Sequence, residues 1–358
     1  MSRMSGSILM VGSVPLATPE EVFRACGRYV GRYVSCLPDG EVFPRTLWIG
    51  YLARYVYDGH PDVVTDQALP TEREQGGASG GHNPATKWRF RLKPGAGVPH
   101  FETGYADFAL ESYETFLKVR GEGAIPPEVR FQVCFPTTGA GFVSYFEDTA
   151  DWPRMTKAYQ DAFGRDIARI LERIPAKDLA IQLDFCPEIR DIQDALPWSP
   201  HRDGKFETWV DGVARLADMV PGEALLGLHW CYGTMGGWPM IRLDDLALCT
   251  RLTNAAVGAI KRPVDFVHMP VLRHADDAYF APLRELESDG AKVYLGLLHH
   301  TDDVATNLAR IATARRHLAG DFGVASVCGY GRLSPEDTNT AFALHAAIGA
   351  ELASAKGR

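Results

Sequence analysis

Eight apolar runs bounded by turn residues, each followed by a segment of helical period, predict an α/β chain folded as a single (β/α)₈ TIM barrel. Two further observations point the same way. The first run ends in Gly12-Ser13-Val14-Pro15, without the glycine fingerprint that a doubly wound dinucleotide-binding sheet carries there. His, Cys and carboxylate residues collect at the C-terminal ends of the runs, the end at which closed barrels hold their sites.

The expected strands cover 8–12, 33–37, 129–135, 179–185, 224–230, 264–269, 292–297 and 324–328. Each is short and largely apolar, and most are closed by Gly or Pro within two residues. The expected helices cover 19–31, 45–57, 152–174, 206–220, 243–260, 277–289, 302–318 and 335–355. Thr18-Pro19-Glu20-Glu21 and Ser334-Pro335-Glu336-Asp337 are helix starts, a capping hydroxyl followed by Pro and acids. The chain 1–358 is expected to be one domain, with 59–127 as a loop inserted after the second strand. That insertion holds Gly76-Gly77-Ala78-Ser79-Gly80-Gly81 and the strand-like Lys87-Trp88-Arg89-Phe90-Arg91. A structureless loop of such length is improbable, so a hairpin or helix is expected inside it. As a βα loop it would lie over the barrel mouth, as a lid or as an oligomer contact.

Composition bounds the function. With 46% hydrophobic residues the chain can bury a large core, and no run is long enough for a membrane span. A net charge of −8, spread along the chain, argues against nucleic acid. The N-terminus makes a poor signal peptide, and seven cysteines make an odd number for a disulfide framework. A reducing, cytoplasmic setting is expected, where thiols are available for metal or for packing.

His229-Trp230-Cys231 and Cys328 are the most informative residues. Side chains two apart on a strand share a face, so His229 and Cys231 can present an imidazole nitrogen and a thiolate to one ion. With Cys328 at the end of the eighth expected strand they form a ligand set that suits Zn²⁺ and leaves one position open. Cys36, Cys134 and Cys249 read as packing residues, whereas Cys186 shares the parity of Asp184 and could face the site. Arg45 and Trp48 suit either a substrate contact or the first turns of a helix, and Arg332 either an anion or a salt bridge.

The order and wording of these segments resemble the cobalamin-independent methionine synthase family. Its superfamily also holds uroporphyrinogen decarboxylase and zinc thiol alkyltransferases such as epoxyalkane:coenzyme M transferase. The likeness to the catalytic C-terminal barrel runs nearly the whole chain. Val11-Gly12-Ser13-Val14-Pro15 resembles the opening I-G-S-F-P, and Asp39-Gly40-Glu41 the H-G-E segment whose Glu helps to bind an amino-acid thiol. Leu183-Asp184 stands at the I-D-E-P strand end. His229-Trp230-Cys231-Tyr232 resembles H-x-C-Y, which carries two zinc ligands. His300-Thr301 resembles D-x-H-S. Cys328-Gly329 with Arg332 and Glu336 resembles C-G-L-K-T-R-x-x-x-E, which carries the remaining Cys ligand.

The resemblance implies a zinc enzyme that activates a small-molecule thiol as thiolate for transfer of a methyl group or an epoxide carbon from an alkyl donor. His300, Asp184 and Glu41 are then the expected acid–base groups, and Ser13, Asp39, Thr138 and Tyr232 the expected substrate contacts. Three departures separate the chain from folate-dependent methionine synthesis. Met269 stands where the synthases place a zinc-ligating Glu, Phe185 replaces the strand-four Glu, and the extra N-terminal barrel has no counterpart. The fourth ligand is therefore absent, or water, or His268 after a register shift. A zinc hydrolase or lyase using metal-bound water, and a non-catalytic zinc-binding barrel, remain as alternatives, and a homo-oligomer is compatible with either.

Overall fold

A computed structural model describes residues 4–68, 88–199, 201–234 and 237–356. The glycine run at 76–81 and Lys87 lie outside them. Eight parallel strands form one sheet that curves into a nearly closed barrel: β1 (Ile8–Leu9), β2 (Cys36–Pro38), β5 (Arg130–Pro136), β6 (Leu179–Phe185), β7 (Leu225–Trp230), β8 (Phe266–Pro270), β9 (Lys292–Leu298) and β10 (Gly323–Ser326). Their order in the sheet is β1-β10-β9-β8-β7-β6-β5-β2. The seam between β1 and β2 is closed by a side chain, as the backbone N–H groups of Ser5 and Gly6 donate to Ser35 Oγ at 3.0 and 2.8 Å.

Two apolar layers hold this arrangement. The larger lies between the sheet and the outer helices, α1 (Pro19–Val30), α3 (Tyr105–Gly121), α4 (Trp152–Arg173), α6 (Lys205–Ala217), α7 (Ala247–Ala259), α9 (Val304–Ala314) and α10 (Pro335–Lys356). The smaller fills the barrel with alternate strand residues, among them Leu9, Cys36, Ala180, Leu225, Phe266 and Tyr294. Period-2 alternation decides this sorting. Room for the two rings comes from glycine: a Cβ on Gly227 would lie 1.9 Å from the Phe266 ring, and one on Gly323 2.3 Å from that of Tyr294.

Helix starts follow the local chemistry. Thr18 Oγ1 accepts from Glu21 N at 3.2 Å while Glu21 Oε2 accepts from Ala17 N at 2.9 Å, a capping box at α1. Ser334 Oγ accepts from Asp337 N at 3.1 Å at α10.

The region after β2 departs from expectation. Instead of one helix over 45–57, the chain makes a 3₁₀ turn at Arg45–Leu47, a single turn α2 (Ile49–Leu52) and a π turn at Ala53–Tyr57. Trp48 interrupts it, with φ at +53°, where no regular helix continues. The 59–127 segment then supplies both an antiparallel hairpin, β3 (Val63–Gln67) with β4 (Arg89–Leu92), and α3. Helix α3 packs on β5 between α1 and α4, so it serves as the crossover helix between β2 and β5. The broken segment is thereby released to the barrel mouth. Short helices α5 (Pro187–Ile192) and α8 (Asp277–Phe280) complete the chain, and no described helix is long and apolar enough to cross a membrane.

Candidate metal centre at the barrel mouth

Leu225, Gly227, His229 and Cys231 occupy one face of β7 and its extension, the first two in the packed interior and the last two above it. The Cys231 N–H still donates to Phe185 O at 2.9 Å, so the thiol sits on ladder backbone rather than on a free loop. Cys328 follows β10, its carbonyl tied down by Ser326 Oγ at 2.6 Å. The two sulfurs are 3.6 Å apart, Cys328 Sγ is 3.8 Å from His229 Nε2, and the three donor atoms all lie within 4.8 Å of one another. A tetrahedral zinc ion with ordinary Zn–S and Zn–N lengths needs donor separations of about 3.8 Å (S–S) and about 3.6 Å (S–N). The residues present fit that ion.

His268 completes the geometry from behind. Its Nε2 lies 3.0 Å from Ser326 O and its Nδ1 2.7 Å from His229 Nδ1. A carbonyl only accepts, so His268 donates from Nε2 and, being neutral, accepts at Nδ1. His229 must then donate from Nδ1, which leaves the lone pair of its Nε2 directed at the two sulfurs. Burial keeps both rings neutral, pushing His229 well below its ordinary value and His268 down to about 3. Both nitrogens of His268 are thus engaged, which corrects the expectation that it might serve as the fourth ligand. Met269 is fully buried in the core and faces away from the site.

The protein groups alone hold both thiols protonated. The hydrogen bond with Cys186 raises Cys231 most, with burial adding to it, and the hydrogen bond with Cys231 together with burial raises Cys328. A dication between the sulfurs reverses that preference, because the thiolates then carry compensated charge.

A cavity of about 70 Å³ opens beside the trio, lined by Ser13, Glu41, Trp48, Asp184, Cys186 and Arg332 among others. Glu41, Asp184 and Cys134 bring their donor atoms within 4.8 Å of one another, with Glu41 and Asp184, but not the buried Cys134, on the cavity wall. Burial lifts Glu41 to about 7, opposed by Arg45 and reinforced by Asp39. Burial and the neighbouring Glu41 lift Asp184 well above the carboxylate range. A ladder of amides inside the barrel fixes Asp184. Cys36 Sγ donates to Gln132 Oε1 at 3.0 Å, Gln132 Nε2 to Gln182 Oε1 at 3.2 Å, and Gln182 Nε2 to Asp184 Oδ1 at 2.8 Å. The two glutamines share the parity of Asp184, the signal that could have revealed them in the sequence.

Of the expected site residues, the structure brings His229, Cys231, Cys328, Glu41, Asp184 and Ser13 to this cavity. Ser13 also ties the β1 end to the Cys328 loop, its Oγ accepting from Gly331 N at 3.2 Å. Four others lie elsewhere. Asp39 is bound to Arg45 Nη2 at 2.5 Å and Ser112 Oγ at 2.8 Å, and its Oδ1 accepts from Glu41 N at 3.0 Å, so it shapes the loop that carries Glu41. Thr138 is buried against Gly212 of α6, with its Oγ1 3.5 Å from Gly212 O. Tyr232 follows the parity of Trp230 and points outward, its hydroxyl 3.3 Å from Cys249 Sγ on α7. His300 lines a second, larger cavity, with Nε2 3.9 Å from Asp337 Oδ1. Trp48, by contrast, reaches the small cavity because the helix over 45–57 is broken.

Solved structures share this fold. A B12-independent methionine synthase from Shewanella sp. W3-18-1, in complex with selenomethionine, superposes with a TM-score of 0.57 at 13% identity, covering 99% of this chain and 98% of that one. A protein from Listeria monocytogenes described as a vitamin-B12-independent methionine synthase gives 0.54 at 11% identity, covering 93% and 86%. No protein-family model matches the chain, and no curated protein matches it in sequence. At such identities the likeness concerns the fold.

Proposed function

We propose that the chain is a zinc-dependent enzyme that activates a small thiol for S-alkyl transfer. The observation that carries this reading is the donor triangle of His229 Nε2, Cys231 Sγ and Cys328 Sγ, with the imidazole lone pair aimed by His268. When bound there, Zn²⁺ supplies an open coordination position that takes a thiol sulfur and lowers its pKa, and two anionic ligands keep that sulfur nucleophilic.

The rest falls to the chain. The substrate S–H gives up its proton, an S–C bond forms as the bond from that carbon to the leaving atom breaks, and the leaving atom departs with the electron pair and takes a proton. Glu41 and Asp184 bring carboxyl oxygens within 4.8 Å of each other, near enough to pass a proton through one bridging water. Gln182 anchors one oxygen of Asp184 and leaves the other for exchange. A cavity of about 70 Å³ beside the trio has room for a small thiol.

Zinc quantitation on the purified chain, followed by a thiol-dependent screen against methyl donors and epoxides, tests the reading. One equivalent of zinc and thiol consumption that Cys231→Ser abolishes are expected. A zinc-free protein, or a Cys231→Ser variant that keeps both metal and activity, would overturn it.

A further inference from the structure

Among the described residues, the bulky side chains at the outer edge of the small cavity are Trp48, Met240 and Arg332, each only partly buried. Of the three, Trp48 is the one that its backbone fixes in place. We infer that the Trp48 indole is the size filter of this pocket, a residue that sets specificity rather than one that reacts. Resting on the reading above, it restricts the thiol to small aliphatic molecules and turns away those with an aromatic tail.

Three observations carry the inference. Trp48 holds φ +53° and ψ −117°, a conformation that glycine adopts freely and a bulky side chain adopts at a cost. Packing offsets only part of that cost, because the ring is partly exposed and its buried Nε1 has no hydrogen-bond partner among the described residues. The conformation is also locked. Trp48 N donates to Arg45 O at 2.8 Å, and Trp48 O accepts from Tyr51 N at 2.9 Å. Arg45 is clamped in turn by Asp39, which also takes the N–H of Glu41. The indole therefore stands at a fixed place relative to Glu41, and both border the cavity. The other two edge residues yield more easily: Met240 is an unbranched, adaptable chain, and Arg332 is held through the Thr234 hydroxyl at 2.7 Å. Finally, the space is small, about 70 Å³ against the roughly 150 Å³ of a cavity that holds benzene, so a phenyl tail enters only if the indole leaves.

The test reads access to Cys186, which borders the small pocket and not the large cavity, and which lies outside the zinc trio. The full chain is treated with iodoacetamide or with iodoacetanilide, the same reagent carrying a phenyl group. Labelling of Cys186 is followed by peptide mapping, each rate taken relative to that of free cysteine. In the native chain the anilide should label Cys186 at least about tenfold more slowly than the amide. Trp48→Gly suits the backbone and should bring the two rates within about threefold of each other, with Trp48→Phe between. Cys249, buried beside Tyr232 away from the pocket, reports any loosening of the fold. If it is labelled in the glycine chain, the phenylalanine chain carries the test. Labelling of Cys186 needs neither zinc nor turnover, so this inference and the zinc reading fail separately. In the alkylation assay the same substitutions should raise kcat/KM for phenylmethanethiol relative to ethanethiol. Equal labelling by both reagents in the native chain, a Cys186 that neither reaches in any chain, or a rate ratio that both substitutions leave unchanged would overturn it.

Discussion

Replacing His268 by phenylalanine keeps the ring volume in the barrel interior and removes both hydrogen bonds that set the His229 tautomer. The His229 Nδ1–H, now 2.7 Å from its acceptor, is left buried and unpaired, and so is the Ser326 carbonyl that the other ring nitrogen holds at 3.0 Å. His229 is then free to carry its proton on Nε2, the atom that must give its lone pair to the metal. Loss of a partner that orients a metal-ligating histidine costs about 10- to 100-fold in metal affinity. That range corresponds to about 1.4–2.7 kcal/mol. The assay is competition for zinc against a chelating indicator of known affinity, with folding checked by circular dichroism. The ligands themselves are untouched, so zinc should still bind, more weakly, at one site. Native-like zinc affinity in a folded His268→Phe chain would refute the relay.

Three other perturbations follow from the same geometry. Cys328→Ser should reduce zinc to a small fraction of one equivalent while the far-ultraviolet spectrum is kept; retained stoichiometric zinc would remove Cys328 from the ligand set. Gly227→Ala puts a methyl group 1.9 Å from the Phe266 ring, so overpacking should cost about 1–3 kcal/mol in urea unfolding, and an unchanged midpoint would contradict the packing described. Glu188 is buried beneath Thr137, Ala140 and Cys186, and burial lifts it from 4.5 to about 7. The folded chain therefore keeps a proton that the unfolded chain gives up. The resulting stability, on the order of 3 kcal/mol, is full below pH 4.5 and lost as pH rises to about 7. Glu188→Gln should flatten that slope, leaving the part that Glu41, Asp166 and Asp184 contribute; an identical slope would rule Glu188 out as its source.

The strands of the barrel were legible because buried parallel strands are short apolar runs, and β6, β7 and β9 fall within a residue of the expected bounds. The metal trio was legible for the same reason: period 2 places His229 and Cys231 on one face whatever the tertiary detail. The same rule would have turned Tyr232 outward, since it alternates with Cys231. Less legible was the crossover after β2. Residues 45–57 and 105–121 both have helical character, and only the left-handed backbone at Trp48 and the packing of α3 on β5 decide between them. His268 has the residue type of a ligand, and its role depends on the Ser326 carbonyl, 58 residues away along the chain. Asp39 likewise depends on distant partners, as Ser112 comes from α3. Such contacts leave no periodic trace in the sequence.

The central claim is that His229, Cys231 and Cys328 hold zinc with a position open to a thiol. X-ray absorption at the zinc edge tests it most directly, on the zinc-loaded chain with and without a small thiol. The account predicts two sulfur scatterers and at least one nitrogen in the free protein, with a third sulfur appearing on thiol addition. A shell without two sulfurs, or one that no thiol alters, would contradict it.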